Sequence, residues 1–265
     1  MHISVIIPAA GASRRYRQGL SEHRSKLDED TGGRPMLQRT VELFHTRPEV
    51  GSIVVAGPAD DEAFAAFELR YGDRLRILGV ELCRGGIEHR YETVREALAH
   101  VPEAATRIAV HDAARPCTPV EVIDRVFAAA ERHPAVIPGL DVADTLKRAS
   151  ERPDTGGPAD PLASILPGNA EDNRVQTVDG TVDRSGLIAV QTPQVFEADL
   201  LRRAYAQDDL SSTDDAQLVE RLGEPVVVVP GDPRNIKITV PSDLVLARAI
   251  GGWNGAPSRP AHKKF

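Results

Sequence analysis

Cysteine is nearly absent from this chain: Cys83 and Cys117 are the two found among 265 residues. Two are too few for a disulfide framework, and their spacing matches no zinc site, so both are expected as reduced thiols in or near the core. Long apolar runs are missing too, and none approaches the length needed to span a bilayer. The first apolar segment begins so close to Met1 that a secretory leader has no room. A cytoplasmic location with no membrane contact is expected. The net charge of −7 argues against a chain that coats nucleic acid. Two phosphate-binding fingerprints are also lacking. The dinucleotide pattern G-x-G-x-x-G fails because Ser13 stands where the second glycine belongs. The P-loop fails for want of a following Gly-Lys-Ser/Thr.

What is present at that place is Val5-Ile6-Ile7-Pro8-Ala9-Ala10-Gly11-Ala12-Ser13-Arg14-Arg15. A short apolar run bounded by turn residues reads as a buried strand. The loop after it has almost no side-chain bulk, so its backbone N–H groups can approach a ligand closely. Arginines at its far end offer forked donors to an anion. Strand, small-residue loop and cations form the layout of a phosphate cradle. A tight turn after an ordinary core strand accounts for the same residues, so the loop alone does not decide.

With 41% hydrophobic residues the chain suffices for one large domain or two small ones. Strand and helix patterns alternate along it, without internal repeat. Leu37, Val41 and Phe44 recur at helical spacing, and Ser52 to Ala56 reads as a strand. Ala63 to Tyr71 is helical, Ile77 to Cys83 extended, Arg90 to His100 helical, and Arg107 to Val110 extended. Thr118-Pro119-Val120-Glu121 has the form of a capping box with proline at the first helical position, which predicts a helix to about Ala130. Ala135 to Ile137 is a further strand. The alternation breaks after Thr145, and residues 150 to 176 show no sustained periodicity, as expected of a long loop or projecting arm. Structure resumes near Thr181, with Ile188 to Gln191 extended and a helix over Glu197 to Ala206. A second helix follows Thr213 as N-cap, then a strand over Pro225 to Pro230 and a helix over Ser242 to Ile250. The tail from Gly251 is expected to be disordered. Such alternation implies a mostly parallel sheet covered by helices, with ligands at the carboxyl ends of the strands.

A second constellation, Val110-His111-Asp112-Ala113-Ala114-Arg115-Pro116, again turns from a strand end into a small-residue loop. The ligand-placement rule puts it on the same crevice as Pro8 to Arg15. Asp112 there can accept from a hydroxyl or reach a magnesium ion, or it can bond its own turn backbone. Arg115 can serve a phosphate or pair with Asp112. His111 reads as a packed histidine rather than a catalyst.

These two motifs are followed in order by Asp144-Thr145, Asp183-Arg184-Ser185-Gly186-Leu187, Gln191-Thr192-Pro193-Gln194, Thr213-Asp214-Asp215 and Asn235-Ile236-Lys237. Together they resemble the 2-C-methyl-D-erythritol 4-phosphate cytidylyltransferases of the non-mevalonate isoprenoid pathway, from about Ile3 to Ile250. The resemblance implies a Rossmann-like nucleotidyltransferase fold: a mostly parallel twisted sheet flanked by helices. One domain would span residues 1–250, with a dimerisation arm at about 141–190 and a tail at 251–265. It implies transfer of a cytidylyl group from CTP to methylerythritol phosphate with release of pyrophosphate, magnesium dependence, and a homodimer that exchanges arms.

By the same resemblance, Arg15 and Lys26 clamp the triphosphate, and Lys237 helps place the acceptor phosphate. Arg184 is lent by the partner's arm. Pro8, Ala9, Ala10, Gly11, Ala12 and Ser13 cradle the nucleotide. Gly85, Gly86, Arg90 and Thr93 read base and ribose, with Asp112 and Ala113 beside them and Asp112 toward the metal. Arg115, Thr145, Thr192 and Thr213 face the acceptor. Three departures from the family pattern stand out. Lys26 sits in Ser25-Lys26-Leu27 rather than Pro-Lys-Gln, and its spacing from Arg15 is long. The segment between Thr145 and Arg184 is extended. Gly85 to Thr93 holds one extra residue, with Thr93 in place of serine, which keeps the hydroxyl. Two rival readings stay open, a ribitol 5-phosphate cytidylyltransferase and a nucleotide-binding regulator without catalysis.

Overall fold

The alternation of apolar side chains in the first strand sets the layout of the sheet. In β1 (Ile3–Pro8), Ile3, Val5 and Ile7 enter one core layer while Ile6 enters the other. Successive side chains of a strand point to opposite faces, so this pattern needs cover on both sides. The computed structural model describes residues 1–11, 13–17, 25–153 and 176–253. It divides into two compact units, Met1–Leu140 with Val190–Phe265, and Asp141–Ala189.

In the larger unit β1 is followed by the short helix α1 (Arg14–Arg17), a 3-10 turn over Lys26–Asp28 and α2 (Met36–Glu42). Then come β2 (Val50–Gly57), α3 (Asp61–Ile77), β3 (Val80–Arg84), α4 (Arg90–Leu98), β4 (Arg107–Val110), α5 (Val120–Ala130) and β5 (Ala135–Asp141). The smaller unit carries a hairpin, β6 (Leu146–Pro153) antiparallel to β7 (Gln176–Val182), and β8 (Ile188–Val190) follows it in the chain. The chain then forms β9 (Gln194–Glu197), α6 (Ala198–Tyr205), α7 (Asp215–Arg221), β10 (Val227–Pro230) and α8 (Pro241–Gly251).

The main sheet runs β10-β5-β9-β4-β1-β2-β3. Every neighbouring pair in it is parallel except those of β9, which lies antiparallel between β4 and β5. One face is covered by α2, α3 and α5 through residues such as Leu37, Leu75 and Phe127. The other is covered by α4, α6 and α7 through Val94, Leu201 and Val219. A third cluster, with Tyr16, Met36, Ile238 and Leu244, fastens α8 beneath the loops beyond β1 and β4. The fold expected from the alternating pattern is the fold observed.

Local boundaries differ in instructive ways. Ile77 ends α3 rather than opening a strand, and Val80 starts β3. Thr118 does not cap α5: Pro119 occupies the N-cap, and the single Thr118 hydroxyl proton is shared between two acceptors, Asn235 Oδ1 at 2.8 Å and Arg115 O at 3.0 Å. Thr213 yields the α7 N-cap to Asp214, whose carboxylate accepts from Gln217 N. The stretch from 150 to 176, expected as a long loop or projecting arm, has strand at both ends, in β6 and β7. Its middle, 154–175, lies outside the described residues, as do Ala12 and residues 254–265 of the tail.

Leu75 is fully buried on α3, in the layer behind the sheet. Leu75→Ala is expected to lower the unfolding free energy by about 2–5 kcal/mol, the usual loss for a truncated core leucine; equilibrium urea denaturation measures it.

Candidate active site

The loops after β1 and β4 and the start of α4 surround a cleft of about 530 Å3 at the carboxyl ends of the parallel strands. Open α/β sheets bind ligands at this edge because crossovers leave a crevice there. Pro8, Ala9, Ala10, Gly11 and Ser13 form its floor on the β1 side. A Cβ added at Gly11 would meet nothing within 4 Å, so the room there opens toward the cleft. Ser13 holds a left-handed backbone (φ 53°), and its Oγ is buried with no hydrogen-bond partner among the described residues. A buried hydroxyl without a partner is unfavourable unless a ligand supplies one. Phosphate oxygens are suited to that need.

Gly85 and Gly86 have a different reason for their small size. A Cβ at Gly86 would lie 2.1 Å from Glu92 Cβ, and one at Gly85 2.6 Å from Thr93 Cγ2. The two glycines therefore let β3 turn tightly onto α4. Thr93, buried, keeps the loop in place by accepting from Gly86 N at 3.2 Å. His89 is the N-cap of α4, with its ring stacked on Tyr91 and lining the cleft.

Arg15 and Lys26, from the N-terminal region, and Lys237, from near the other end of the chain, all line the same cleft. Lys26 Nζ donates to Ile238 O at 3.0 Å, which ties its turn to the segment that carries Lys237. That segment is pinned from behind. Gln191 Nε2 donates to Asp232 O at 2.9 Å, and Asn235 Nδ2 donates to Thr192 O at 2.9 Å. The Gln-Thr-Pro-Gln and Asn-Ile-Lys motifs thus meet, and their joint effect is to fix where Lys237 stands.

Asp112 is the centre of the electrostatics. Its carboxylate faces Arg90 Nε at 3.3 Å on Oδ1, and Arg115 Nε and Lys237 Nζ, each at 3.1 Å, on Oδ2. Burial opposes its charge, but Arg90, Lys237 and Arg115 hold the carboxyl far below the usual carboxylate range. Its backbone N–H donates to Thr192 Oγ1 at 3.1 Å. Burial pushes His111 down to about 4, so its imidazole is neutral. Nε2 lies 3.3 Å from Arg115 O, which can only accept, and that leaves Nδ1 to accept from the Thr192 hydroxyl at 3.1 Å. His111 is a packed histidine, as the sequence implied.

A smaller cavity of about 280 Å3 adjoins the cleft and shares Arg90, Asp112 and Lys237 with it. Thr192, Thr213 and Arg115 line it. Arg115 is largely buried and already bonded, to Asp112 and to Asn235 O at 2.7 Å. Arg90 likewise spends Nη2 on Asp215 Oδ2 at 2.7 Å. Both guanidiniums brace the wall between the cavities. Thr145 and Arg184 are carried by the smaller unit, where Arg184 donates to Ala143 O. Sequence reasoning named Asp215 within a motif but gave it no role, and it missed Tyr205 behind Arg90 and the cleft-lining Tyr16 and Thr239.

A mostly parallel sheet whose strand ends hold a small-residue loop, a hydroxyl unpaired among the described residues and converging cations suits a protein that handles phosphorylated nucleotides. Comparison with known proteins then fixes the family. Residues 3–155 and 165–252 match the family described as 2-C-methyl-D-erythritol 4-phosphate cytidylyltransferase, and the chain belongs to it. A protein of that name from Frankia casuarinae is 42% identical over 249 residues, covering 94% of this chain and 80% of the relative. One from Saccharopolyspora erythraea is 40% identical, covering 94% and 99%. The crystal structure of 2-C-methyl-D-erythritol 4-phosphate cytidylyltransferase from Thermus thermophilus superposes with a TM-score of 0.67 at 31% identity, over 95% of this chain and all of that one.

Lys26 carries a measurable signature of this crowding. Burial, reinforced by Lys237, lowers its pKa from 10.5 to about 8. The unfolded chain therefore keeps the Lys26 proton to higher pH than the folded one. Stability rises with pH between about 8 and 10.5, and the full cost of the buried charge is present below 8. In Lys26→Met this rise should shrink by an amount on the order of 1–3 kcal/mol relative to the parent. Urea denaturation of both proteins at pH 7.5, 9 and 10.5 gives the difference.

Proposed function

We propose that the chain transfers a cytidylyl group from CTP to 2-C-methyl-D-erythritol 4-phosphate, releasing pyrophosphate for isoprenoid precursor synthesis. The observation that carries this reading is the convergence of Arg15, Lys26 and Lys237 on one cleft beside a small-residue cradle. A pure nucleotide binder has no evident need for all three.

The chemistry follows from the charges. An oxygen of the acceptor phosphate attacks the α-phosphorus of CTP in line; the new P–O bond forms as the bond to the pyrophosphate oxygen breaks. That nucleophile is already largely ionised at neutral pH, with a second pKa of about 6, so no side chain needs to remove a proton. The barrier is the meeting of two anions and the charge on a crowded phosphorus centre. Preorganised cations lower such a barrier because their reorganisation is complete before reaction. In our reading the triphosphate lies along Pro8 to Ser13, with Ser13 Oγ and Arg15 and Lys26 on its oxygens. The base and ribose lie toward Gly85, Gly86, Arg90, Thr93, Asp112 and Ala113, although Arg90 acts chiefly through its ion pairs. The acceptor occupies the adjoining cavity near Thr192, Thr213 and Arg115. Lys237, in the wall common to both cavities, faces the place where the two anions meet.

Magnesium fits this arrangement as an ion that arrives with the nucleotide. No three His, Cys, Asp or Glu side chains cluster among the described residues; Asp112 and Glu88 are carboxylates that line the cleft, and in our reading Asp112, although already beside three cations, would be the one turned to such an ion. Magnesium commonly takes one carboxylate and completes its shell with phosphates and water. When bound it would neutralise triphosphate charge. We further read the smaller unit as the arm of a cytoplasmic homodimer, with Arg184 and Thr145 completing the partner's site.

Product identification from CTP with each of methylerythritol phosphate and ribitol phosphate tests the reading. Turnover with methylerythritol phosphate and little with ribitol phosphate supports it; the reverse reassigns the acceptor. Tight CTP binding without pyrophosphate from either makes the protein a regulator. Chelation of magnesium should abolish turnover. Lys237→Ala should lower it by about 100-fold or more, the scale of one lost preorganised charge, with an unaltered circular dichroism spectrum. Mixing Arg184→Ala with Lys237→Ala subunits should restore part of the activity. A mixture as inactive as its parts would mean that each site is built from one chain.

A further inference from the structure

A second buried carboxylate, besides Asp112, stands behind the cleft at Asp215, the first residue of α7. Its side chain is wholly buried, and each carboxylate oxygen has its own partner. Oδ2 accepts from Arg90 Nη2 at 2.7 Å, and Oδ1 accepts from the Tyr205 hydroxyl at 2.6 Å. Nothing in the transfer chemistry above uses either Asp215 or Tyr205. Tyr205 closes α6, Asp215 opens α7 and Arg90 opens α4, so three helices meet at this one carboxylate. A buried ion pair is weak support for stability, because apolar side chains of similar volume often serve as well. A role in fixing geometry accounts for it better.

The geometry that Asp215 fixes is the way Arg90 meets Asp112. A guanidinium prefers to fork onto both oxygens of a carboxylate. Arg90 instead turns only Nε to Asp112, at 3.3 Å on Oδ1, because its Nη2 is held by Asp215. Oδ2 of Asp112 is thereby left for Arg115 and Lys237, each at 3.1 Å. We infer that Tyr205 and Asp215 are positioning residues for cytidylyl transfer: they restrain Arg90 so that Asp112 keeps one oxygen for Lys237. Released from Asp215, Arg90 would fork onto Asp112 and displace the Lys237 ammonium from the wall shared by the two cavities. The defect would fall on the step in which the two anions meet, and so on kcat rather than on the KM for CTP. This inference rests on the reading of the cleft given above.

The test compares full-length wild type, Tyr205→Phe and Asp215→Asn by pyrophosphate release from CTP and methylerythritol phosphate. Asp215→Asn is expected to lower kcat about tenfold or more and Tyr205→Phe about threefold, with KM for CTP within about twofold, as for a group misplaced in the transition state. The Tyr205→Phe loss should disappear when Lys237 is already alanine, measured by single turnover with enzyme in excess, because the group being positioned is gone. The same fold-loss in both backgrounds, or a loss confined to KM for CTP, overturns the inference. If Asp215→Asn does not fold, the nearly isosteric Tyr205→Phe decides alone, its melting temperature confirming an intact fold. Wild type that releases no pyrophosphate sinks the transfer reading and this inference with it. Active wild type with an unaffected Tyr205→Phe sinks the inference only.

Discussion

One buried carboxylate organises the cleft. Asp112 stands against Arg90, Arg115 and Lys237, and the cations are held near one another because it is there. Without that negative charge, like charges in a confined space would drive the side chains apart or shed a proton. The lowered pKa of Lys26 comes first from its burial; Lys237 and Arg15 add to the lowering, and Asp112 and Asp243 relieve it in part. The cleft is thus an excess of positive potential kept in shape by a rigid frame. A polyanion entering it relieves the frame rather than straining it.

The fold was readable because its strands are covered on both faces and its helices on one. Val5 to Ile7 and Ile53 to Ala56 are continuous apolar runs that alternate between two cores, and such runs announce themselves without an alignment. β9 was not readable. It has four residues, follows Pro193, and gains its place only by pairing with β4 and β5, which lie far away in sequence. The helix caps were misplaced by one residue for a related reason. Thr118 and Thr213 each stand beside another residue able to occupy the cap, and Thr118 has Asn235 as a tertiary partner. Local chemistry names the candidates at a helix start, and distant partners choose among them.

The site shows the same division. Arg15, Lys26, Asp112 and Lys237 belong to motifs whose residue types suit phosphate chemistry, and the fold gathers them into one cleft. Lys26 lines the cleft, anchored by a hydrogen bond to a backbone carbonyl, Ile238 O, that does not depend on neighbouring side chains. Tyr205 carried no such mark, and Asp215 stood in the Thr213-Asp214-Asp215 motif with no role attached to it. The partner that gives Asp215 meaning, Arg90, is 125 positions away, and an aspartate at a helix start reads first as a cap. Arg115 was ambiguous between ligand and ion pair, and burial resolved it toward the pair.

The wedge of β9 beside β5 has a consequence for how this scaffold can vary. The chain departs the sheet at the end of β5 and returns to it through β8, which pairs with β5, and then β9; β9 and β5 run antiparallel as direct neighbours, with Ala135 opposite Phe196 and Val136 opposite Val195. The gap that any intervening segment must close is therefore short whatever its length. Closure entropy grows only with the logarithm of loop length, so lengthening the excursion between them adds little strain to the catalytic sheet. Between these two strands the architecture has a socket, into which evolution or an engineer can fit longer or shorter excursions without rebuilding the body that holds the nucleotide.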